Sequence, residues 1–244
     1  MQTFQAQVTR VTDLTHDVRE IELALVEPPE IAFVAGQFVS FRVPAPTRAG
    51  AATRAYSIAS PPIRRSSIDL LFNLVPGGPG STYLYSLAIG DRVRFAGPLG
   101  TFVLRDYPDR DLLFVATGTG IAPIRSMILA RLPSARRVML FWGLRSERDL
   151  YYQEEFRALA EQHTEFSFTT TLSQPSHAWT GPVGRVQRLV EERISSVSEL
   201  AAYICGNASM IRSVTDLIRR IGVCPIQHEQ YYLERGGVED GTFA

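Results

Sequence analysis

Five short stretches of this chain bring together residue types that do chemistry. The first is "RAYSIASPP" (54–62), which places a cation, an aromatic ring and small hydroxyls on one short extended segment and ends it with two prolines. Side chains alternate along a strand, so Arg54, Tyr56 and Ser60 are expected on one side and Ala55, Ser57 and Ala59 on the other. A strand serving only a core would carry large apolar residues on its inner face. This one presents a surface suited to a ligand.

The second stretch, "PGGPGSTYL" (76–84), sets a glycine- and proline-rich turn before a serine and a threonine at an expected helix start. Helix N-termini expose amide groups, and glycines let a phosphate approach them; the same pattern also fits an ordinary hairpin loop followed by a helix cap. The third, "FVATGTGIAPIRSM" (114–127), is a strand, two glycines with interleaved threonines, and a helix. At the end of a parallel strand this is a place for a dinucleotide pyrophosphate, although the full G-x-G-x-x-G pattern is missing and a plain strand-to-helix turn fits too. The fourth, "YICGNASMI" (203–211), again ends a strand in Cys-Gly and starts a helix. Two such turns on one edge of a sheet would face one crevice. The fifth, "HEQYY" (228–232), sets a glutamate among aromatic residues, which fits either a site carboxylate or a surface one.

The elements that must hold these stretches change character along the chain. Up to about residue 105 there are short alternating runs, among them "GQFVSFRV" (36–43), "IDLLFNLV" (68–75) and "DRVRFAG" (91–97), separated by Gly and Pro clusters. These predict an antiparallel barrel, with one helix over 81–87. From "LLFVATG" (112–118) onward, apolar runs at 137–143, 165–173, 200–206 and 226–232 alternate with helical patterns near 122–132, 149–163, 186–194 and 209–222. That rhythm predicts a parallel sheet with helices on both faces, the last helix stopping at Gly222. The expected domains are 1–105 and 111–244.

Composition narrows the function. The 25 basic residues balance 25 acidic ones, so no overall field draws nucleic acid or an acidic membrane. Every basic side chain apart from histidine is arginine, which excludes a lysine Schiff base and a phosphate-loop lysine. No signal peptide is evident, and no run approaches the ~20 apolar residues of a membrane span. Cys205 and Cys224 are the only cysteines and the four histidines are scattered, so no metal site is expected; reduced thiols in the cytoplasm are the simple reading.

Taken in order, "AGQFVSF", "RAYSIAS", "GGPGSTYL", "GPLGTF", "GTGIAP", "GLRSERDLYY", "YICGNASM" and "HEQYY" resemble the ferredoxin–NADP reductase family of flavoproteins over nearly the whole chain. The resemblance implies an FAD-binding barrel followed by a Rossmann-like NAD(P)-binding domain. It implies that Arg54 pairs with the FAD pyrophosphate, Tyr56 lies against the isoalloxazine, and Ser57 bonds near flavin N5. Gly80, Ser81 and Thr82 would hold the pyrophosphate. Gly118, Thr119 and Gly120 would bind the nicotinamide nucleotide, and Cys205 and Gly206 would shape the pocket where nicotinamide meets flavin. Glu229 matches the family's C-terminal glutamate. The implied reaction is hydride transfer from NAD(P)H to flavin, then single electrons to ferredoxin or a similar carrier, by a cytoplasmic monomer that neither binds nucleic acid nor inserts into a membrane.

Departures from the family pattern bear on the details. Asn73 stands where many relatives carry a basic residue, which weakens an expected cofactor contact. Two distant cysteines cannot hold a plant-type [2Fe–2S] cluster, so any iron–sulfur partner is expected to be a separate protein. Of three arginines that often surround an NADPH 2′-phosphate, Arg145 and Arg185 match while the third position is Gln174; NADH and NADPH stay equally open. The tail from residue 233 either covers the flavin with Phe243 or is disordered. Alternative functions are the reductase component of an oxygenase, a reductase of free flavin, and a non-catalytic binding module on the same fold.

Overall fold

The computed structural model describes residues 1–44, 50–132 and 136–232. The expectation for the tail and Phe243 lies outside the described residues. Two compact units divide the chain: Met1–Leu104 with Arg125–Ala130, and Arg105–Ile124 with the described residues from Arg131 on.

The first unit is a six-stranded antiparallel sheet made of β1 (Gln2–Asp13), β2 (Val18–Glu27), β3 (Phe38–Pro44), β4 (Ala51–Ser57), β5 (Ser67–Asn73) and β6 (Arg92–Leu99). Its strand order is β4-β3-β6-β1-β2-β5. Alternation buries one face: Phe4, Ala6 and Val8 of β1, Val39, Phe41 and Val43 of β3, and Val93 and Phe95 of β6 share one core. Burying each large apolar side chain contributes about 1.5–3 kcal/mol, so the sheet curls to enclose them. A single antiparallel bridge from Ile58 to Leu70 links the two edges and completes the curl. Helix α1 (Pro79–Tyr85) sends Leu84 into the same core.

The second unit is a parallel sheet. The chain runs here through β7 (Asp111–Thr117), a 3-10 turn over Gly118–Gly120, α2 (Ile121–Arg131, whose residues Arg125–Ala130 count with the first unit), β8 (Val138–Leu144), α3 (Gln153–Gln162), β9 (Phe166–Leu172), α4 (Val186–Arg193), β10 (Leu200–Asn207), α5 (Ala208–Ile221) and β11 (Ile226–Tyr232). Strand order is β11-β10-β7-β8-β9, all parallel. β8 is buried at every position, as a strand covered on both faces requires. Leu113, Val115 and Ile204 pack against α4 and α5 on one face, and Trp142 on the other face packs against Phe156 of α3. The chain leaves β7 for β8 and β9, then returns to β10 on the opposite side of β7. The carboxyl ends of β7 and β10 therefore flank a switch point, where open α/β sheets form a ligand crevice.

Two local features differ from the sequence expectations. Helix α1 begins at Pro79, two residues early, because proline at the first helical position carries the right φ and no surplus N–H. Helix α3 begins at Gln153 rather than near 149, because the Asp149 carboxylate accepts from the Ser146 amide (2.9 Å) and hydroxyl (2.7 Å) and closes a separate short turn. Tyr152 then sits at φ 56°, in the left-handed region, and redirects the chain into α3. At the far end Gly222 does cap α5, but with extended backbone at φ 167°.

Candidate functional site

In the first unit the chemistry gathers at edge strand β4. Tyr56 packs edge-on against Phe41 (5.9 Å between centroids) and Phe72 (5.8 Å), which fixes its ring. Arg54 lies two residues earlier, exposed, with one guanidinium nitrogen donating to the Thr53 carbonyl at 2.9 Å. Gly80, in the first turn of α1, closes the group. A Cβ at Gly80 would run into the Tyr56 hydroxyl and lie 2.7 Å from Arg54 Cγ. Only glycine lets the helix start come this close, so a cation, an aromatic ring and helix amides face one small volume.

Ser81 is buried, and its hydroxyl accepts from the Val75 amide at 3.0 Å, closing the loop that precedes the helix. The same hydroxyl also reaches the Val75 and Gly78 carbonyls, at 3.3 and 3.2 Å. The Thr82 amide donates to the Gly78 carbonyl at 3.0 Å. Asn73 ends β5 opposite Val18.

Ser57 is buried at the end of β4. The strand stops there, and Ser60 does not share a face with Arg54 and Tyr56 as alternation predicted. Past Ser57 the chain crosses to β5: Ala59 donates to the Asp69 carbonyl (2.8 Å) and the Ser60 hydroxyl accepts from the Asp69 amide (3.1 Å). Asp69, 2% exposed, anchors a charged cluster. Its carboxylate meets Arg64, Arg10 at 3.3 Å and Arg125 at 3.6 Å, while Arg10 also reaches Glu20 at 2.8 Å. Burial first, and then Glu20, push the Asp69 carboxyl above its ordinary pKa of 3.8, against the pull of Arg64 and Arg125. Arg125 also donates to the Ala59 carbonyl at 3.0 Å, and the Ser126 hydroxyl to the Ser60 carbonyl at 2.7 Å. This cluster holds the segment after Ser57 from several sides. Its members lie far apart in sequence and no local pattern announced them.

In the second unit two turns interlock at the carboxyl ends of β7 and β10. A Cβ on Gly120 would lie 2.5 Å from the Cys205 carbonyl oxygen and 3.0 Å from Gly206 Cα. A Cβ on Gly206 would strike Thr117 Oγ1 and come within 2.8 Å of Met210 Cε. Gly206 also has φ +153° and Gly118 φ +51°, backbone that favours glycine. The glycines predicted as binding residues thus allow "GTG" and "CG" to nest. Thr119 is buried within the first turn. The Asn207 side chain caps α5, accepting from the Met210 amide at 2.9 Å, and its backbone amide donates to Thr117 Oγ1 at 3.4 Å.

Cys205 is wholly buried and reduced. Burial, and secondarily Glu229, hold its thiol well above the ordinary cysteine pKa, so it stays protonated. Glu229 is its register partner across β10 and β11, which brings these two predicted residues together.

The positions expected to select the nucleotide also converge. The Gln174 amide donates to the Arg145 carbonyl at 2.7 Å, and Arg145 Nε donates to Gln174 Oε1 at 2.9 Å. Glu147 ties the same two loops by accepting from the Ser176 amide (2.8 Å) and hydroxyl (2.7 Å), bonds that hold its carboxyl below the usual range. Arg185 follows Gly184, whose amide donates to Leu172 at 2.8 Å, so it too stands at the carboxyl end of β9. Trp142, unremarked in the sequence reading, donates from its indole nitrogen to the Gly118 carbonyl at 3.1 Å.

Comparison with known proteins agrees with this division. Residues 5–104 match the oxidoreductase FAD-binding domain family and residues 114–216 the oxidoreductase NAD-binding domain family. A ferredoxin–NADP reductase B from Sorangium cellulosum is 35% identical, with 95% of this chain and 97% of that protein covered. The reductase component DmpP of a Pseudomonas phenol 2-monooxygenase is 32% identical, over 99% of this chain and 69% of that protein. The structure of an Amycolatopsis cytochrome P450 reductase, GcoB, superposes with a TM-score of 0.82 at 32% identity, over 94% of this chain and 69% of that one.

Proposed function

The chain belongs to the ferredoxin–NADP reductase family of oxidoreductases, and from that premise we propose that it oxidises NAD(P)H with bound FAD and reduces a ferredoxin-like carrier. The observation that carries the flavin assignment is the cradle at Gly80, where the absence of a Cβ brings the first turn of α1 onto Arg54 and Tyr56. That cradle fits a pyrophosphate joined to a flat ring. The Arg54 guanidinium can fork onto phosphate oxygens, the Gly80 and Ser81 amides add donors, and the Tyr56 ring offers a face. When bound, FAD supplies hydride acceptance at N5 and one-electron release to the acceptor.

The chain's own groups do the rest. To the Ser57 hydroxyl, at the end of β4, we assign the bond to a flavin ring nitrogen. The nested turns at Gly118–Gly120 and Cys205–Gly206 orient the nicotinamide nucleotide, and Cys205 acts there as a thiol that burial, with Glu229 second, keeps neutral. Arg145 and Arg185 offer cations to a 2′-phosphate, although Gln174 engages Arg145 Nε. The two free thiols agree with the reducing cytoplasm we assign. Among the described residues no helix is long and apolar enough to cross a membrane. We assign a monomer, which gel filtration tests.

The similarity to the phenol 2-monooxygenase component supports a second reading, in which an oxygenase is the acceptor. One experiment serves both. Purified protein reconstituted with FAD is expected to be yellow and to bleach anaerobically with NADH or NADPH. Comparing ferredoxin, an oxygenase and free FMN as oxidants then ranks the acceptors. Protein that stays colourless with FAD, or bleaches with neither nucleotide, ends the proposal.

A further inference from the structure

We propose that Trp142 is a positioning residue for nicotinamide-nucleotide binding, acting through its hydrogen bond to the Gly118 carbonyl; this rests on the nucleotide reading above. Trp142 lies on β8 beside Ala116 of β7, one residue before that strand enters its terminal turn. Its ring is wholly buried and held edge-on by Tyr151 (4.7 Å) and Phe156 (6.0 Å). A buried indole N–H needs an acceptor, and here the acceptor is Gly118 O at 3.1 Å. Tyr151, the nearer of the two rings, fixes the indole, so the bond fixes the carbonyl.

The Gly118 carbonyl also accepts from the Ile121 amide at the start of α2, which gives its oxygen two donors. The peptide joining Gly118 to Thr119 is planar and trans, so its C=O and N–H point in opposite directions. Holding the carbonyl on Trp142 therefore fixes the whole peptide plane that leads from Gly118 into Thr119, in the turn assigned to the nucleotide. Gly118 itself sits at φ +51° with open space around its α-carbon, so neither intrinsic preference nor packing at that residue holds the peptide plane. A phenylalanine or tyrosine at 142 could fill much of the same space. Only the indole nitrogen accounts for the bond.

The test uses FAD-loaded full-length protein. Trp142→Phe and Trp142→Tyr remove the N–H and keep an aromatic ring; Phe156→Leu disturbs the more distant side of the same core and leaves both the N–H and the Tyr151 contact in place. Dissociation constants for NAD+ and NADP+ are read from flavin difference spectra, with FAD content, flavin spectrum and steady-state kinetics alongside. Both Trp142 variants are expected to bind the nucleotide this protein prefers about tenfold more weakly, the loss typical of one buried hydrogen bond. KM is expected to rise with kcat within about twofold, and FAD content to stay unchanged. Phe156→Leu is expected to lower the melting temperature and leave nucleotide affinity near wild type. If Trp142→Phe does not fold, Trp142→Tyr carries the comparison. Wild-type affinity in a folded Trp142 variant, or an equal loss in Phe156→Leu, overturns the proposal while leaving the reductase reading intact. Wild-type protein that binds FAD and neither nucleotide overturns both.

Discussion

Replacing the glycines of the two nested turns, one at a time, separates two physical costs. Gly118 has open space around it but φ +51°, so an alanine there meets only backbone strain of about 1–2 kcal/mol. Gly120 has ordinary backbone but no space. Its added Cβ would lie 2.5 Å from the Cys205 carbonyl oxygen and 2.7 Å from the carbonyl carbon, where ordinary contact begins at 3.4 Å. The obstacle is main chain, which no rotamer change can move, so the turns must separate by most of an ångström. Overpacking of that kind costs about 1–3 kcal/mol, and a displacement of ~1 Å at a reacting centre can cost on the order of a hundredfold in rate. Gly206 suffers both costs, with φ +153° and Thr117 and Met210 in the way. The expected order of damage is Gly206→Ala at least equal to Gly120→Ala, and both worse than Gly118→Ala. Thermal midpoints give the ranking, because a chain of two units need not unfold in one step. Nucleotide titration of the FAD-loaded protein gives the functional effect, expected at about tenfold to a hundredfold in affinity for Gly120→Ala. FAD binding should hold, since Gly80 and its neighbours are untouched. If Gly118→Ala is as damaging as Gly120→Ala, or Gly120→Ala binds nucleotide normally, the nesting argument is wrong.

Three further outcomes follow from the geometry. Arg145→Ala should lower kcat/KM for NADPH by about tenfold and leave NADH within about twofold, because the lost contact is a charged hydrogen bond to the 2′-phosphate alone; equal effects on both nucleotides would contradict that role. Asp69 has a folded-state pKa raised above its unfolded value, so its contribution to stability is fullest below about 3.8 and is lost as pH rises through the folded value. The melting-temperature advantage of wild type over Asp69→Asn should therefore shrink with rising pH, and an advantage that grows would mean the arginines outweigh burial. Cys205 should resist iodoacetamide at pH 8 in the native protein while the half-buried Cys224 labels slowly, with both labelled after unfolding; mass spectrometry distinguishes the sites.

The parallel sheet was legible because its strands are covered on both faces. An apolar run between glycine turns leaves little choice, and the run predicted at 226–232 is β11 itself, while those at 112–118 and 137–143 shift by one residue. Helix α5 was equally legible, since its apolar residues recur at helical spacing and Asn207 caps it. The glycines of both turns could be picked out because glycine is the only residue for a positive φ or a backbone in close approach. What could not be read was why each glycine is needed. Gly80 answers to Arg54 and Tyr56, and Gly120 to Cys205, partners 24 to 85 residues away. Likewise, the run "DLYYQEEF" carries a helical pattern from its first residue, but a side-chain bond from Ser146 to Asp149 stops the helix from starting there.

The polar contacts missed in the sequence share a cause. Periodicity reports which face of an element is buried, and it reports nothing about a buried side chain that bonds a carbonyl on another strand. Trp142 reads as one more apolar residue in "VMLFWGL", and Asp69 reads as the lone charge in "SIDLLFN". Each breaks its local pattern only by carrying a polar atom where a hydrocarbon would pack. A buried polar group costs free energy unless it is bonded, so such an atom implies a specific partner even before the partner is known. For Trp142 that partner is the Gly118 carbonyl; for Asp69 it is the Arg10, Arg64 and Arg125 guanidiniums beside the segment after Ser57. Both fix a piece of backbone next to a predicted binding residue. Burial of a polar atom inside an otherwise apolar strand is thus the signal that would have pointed from the core of each unit to the part of the site it supports.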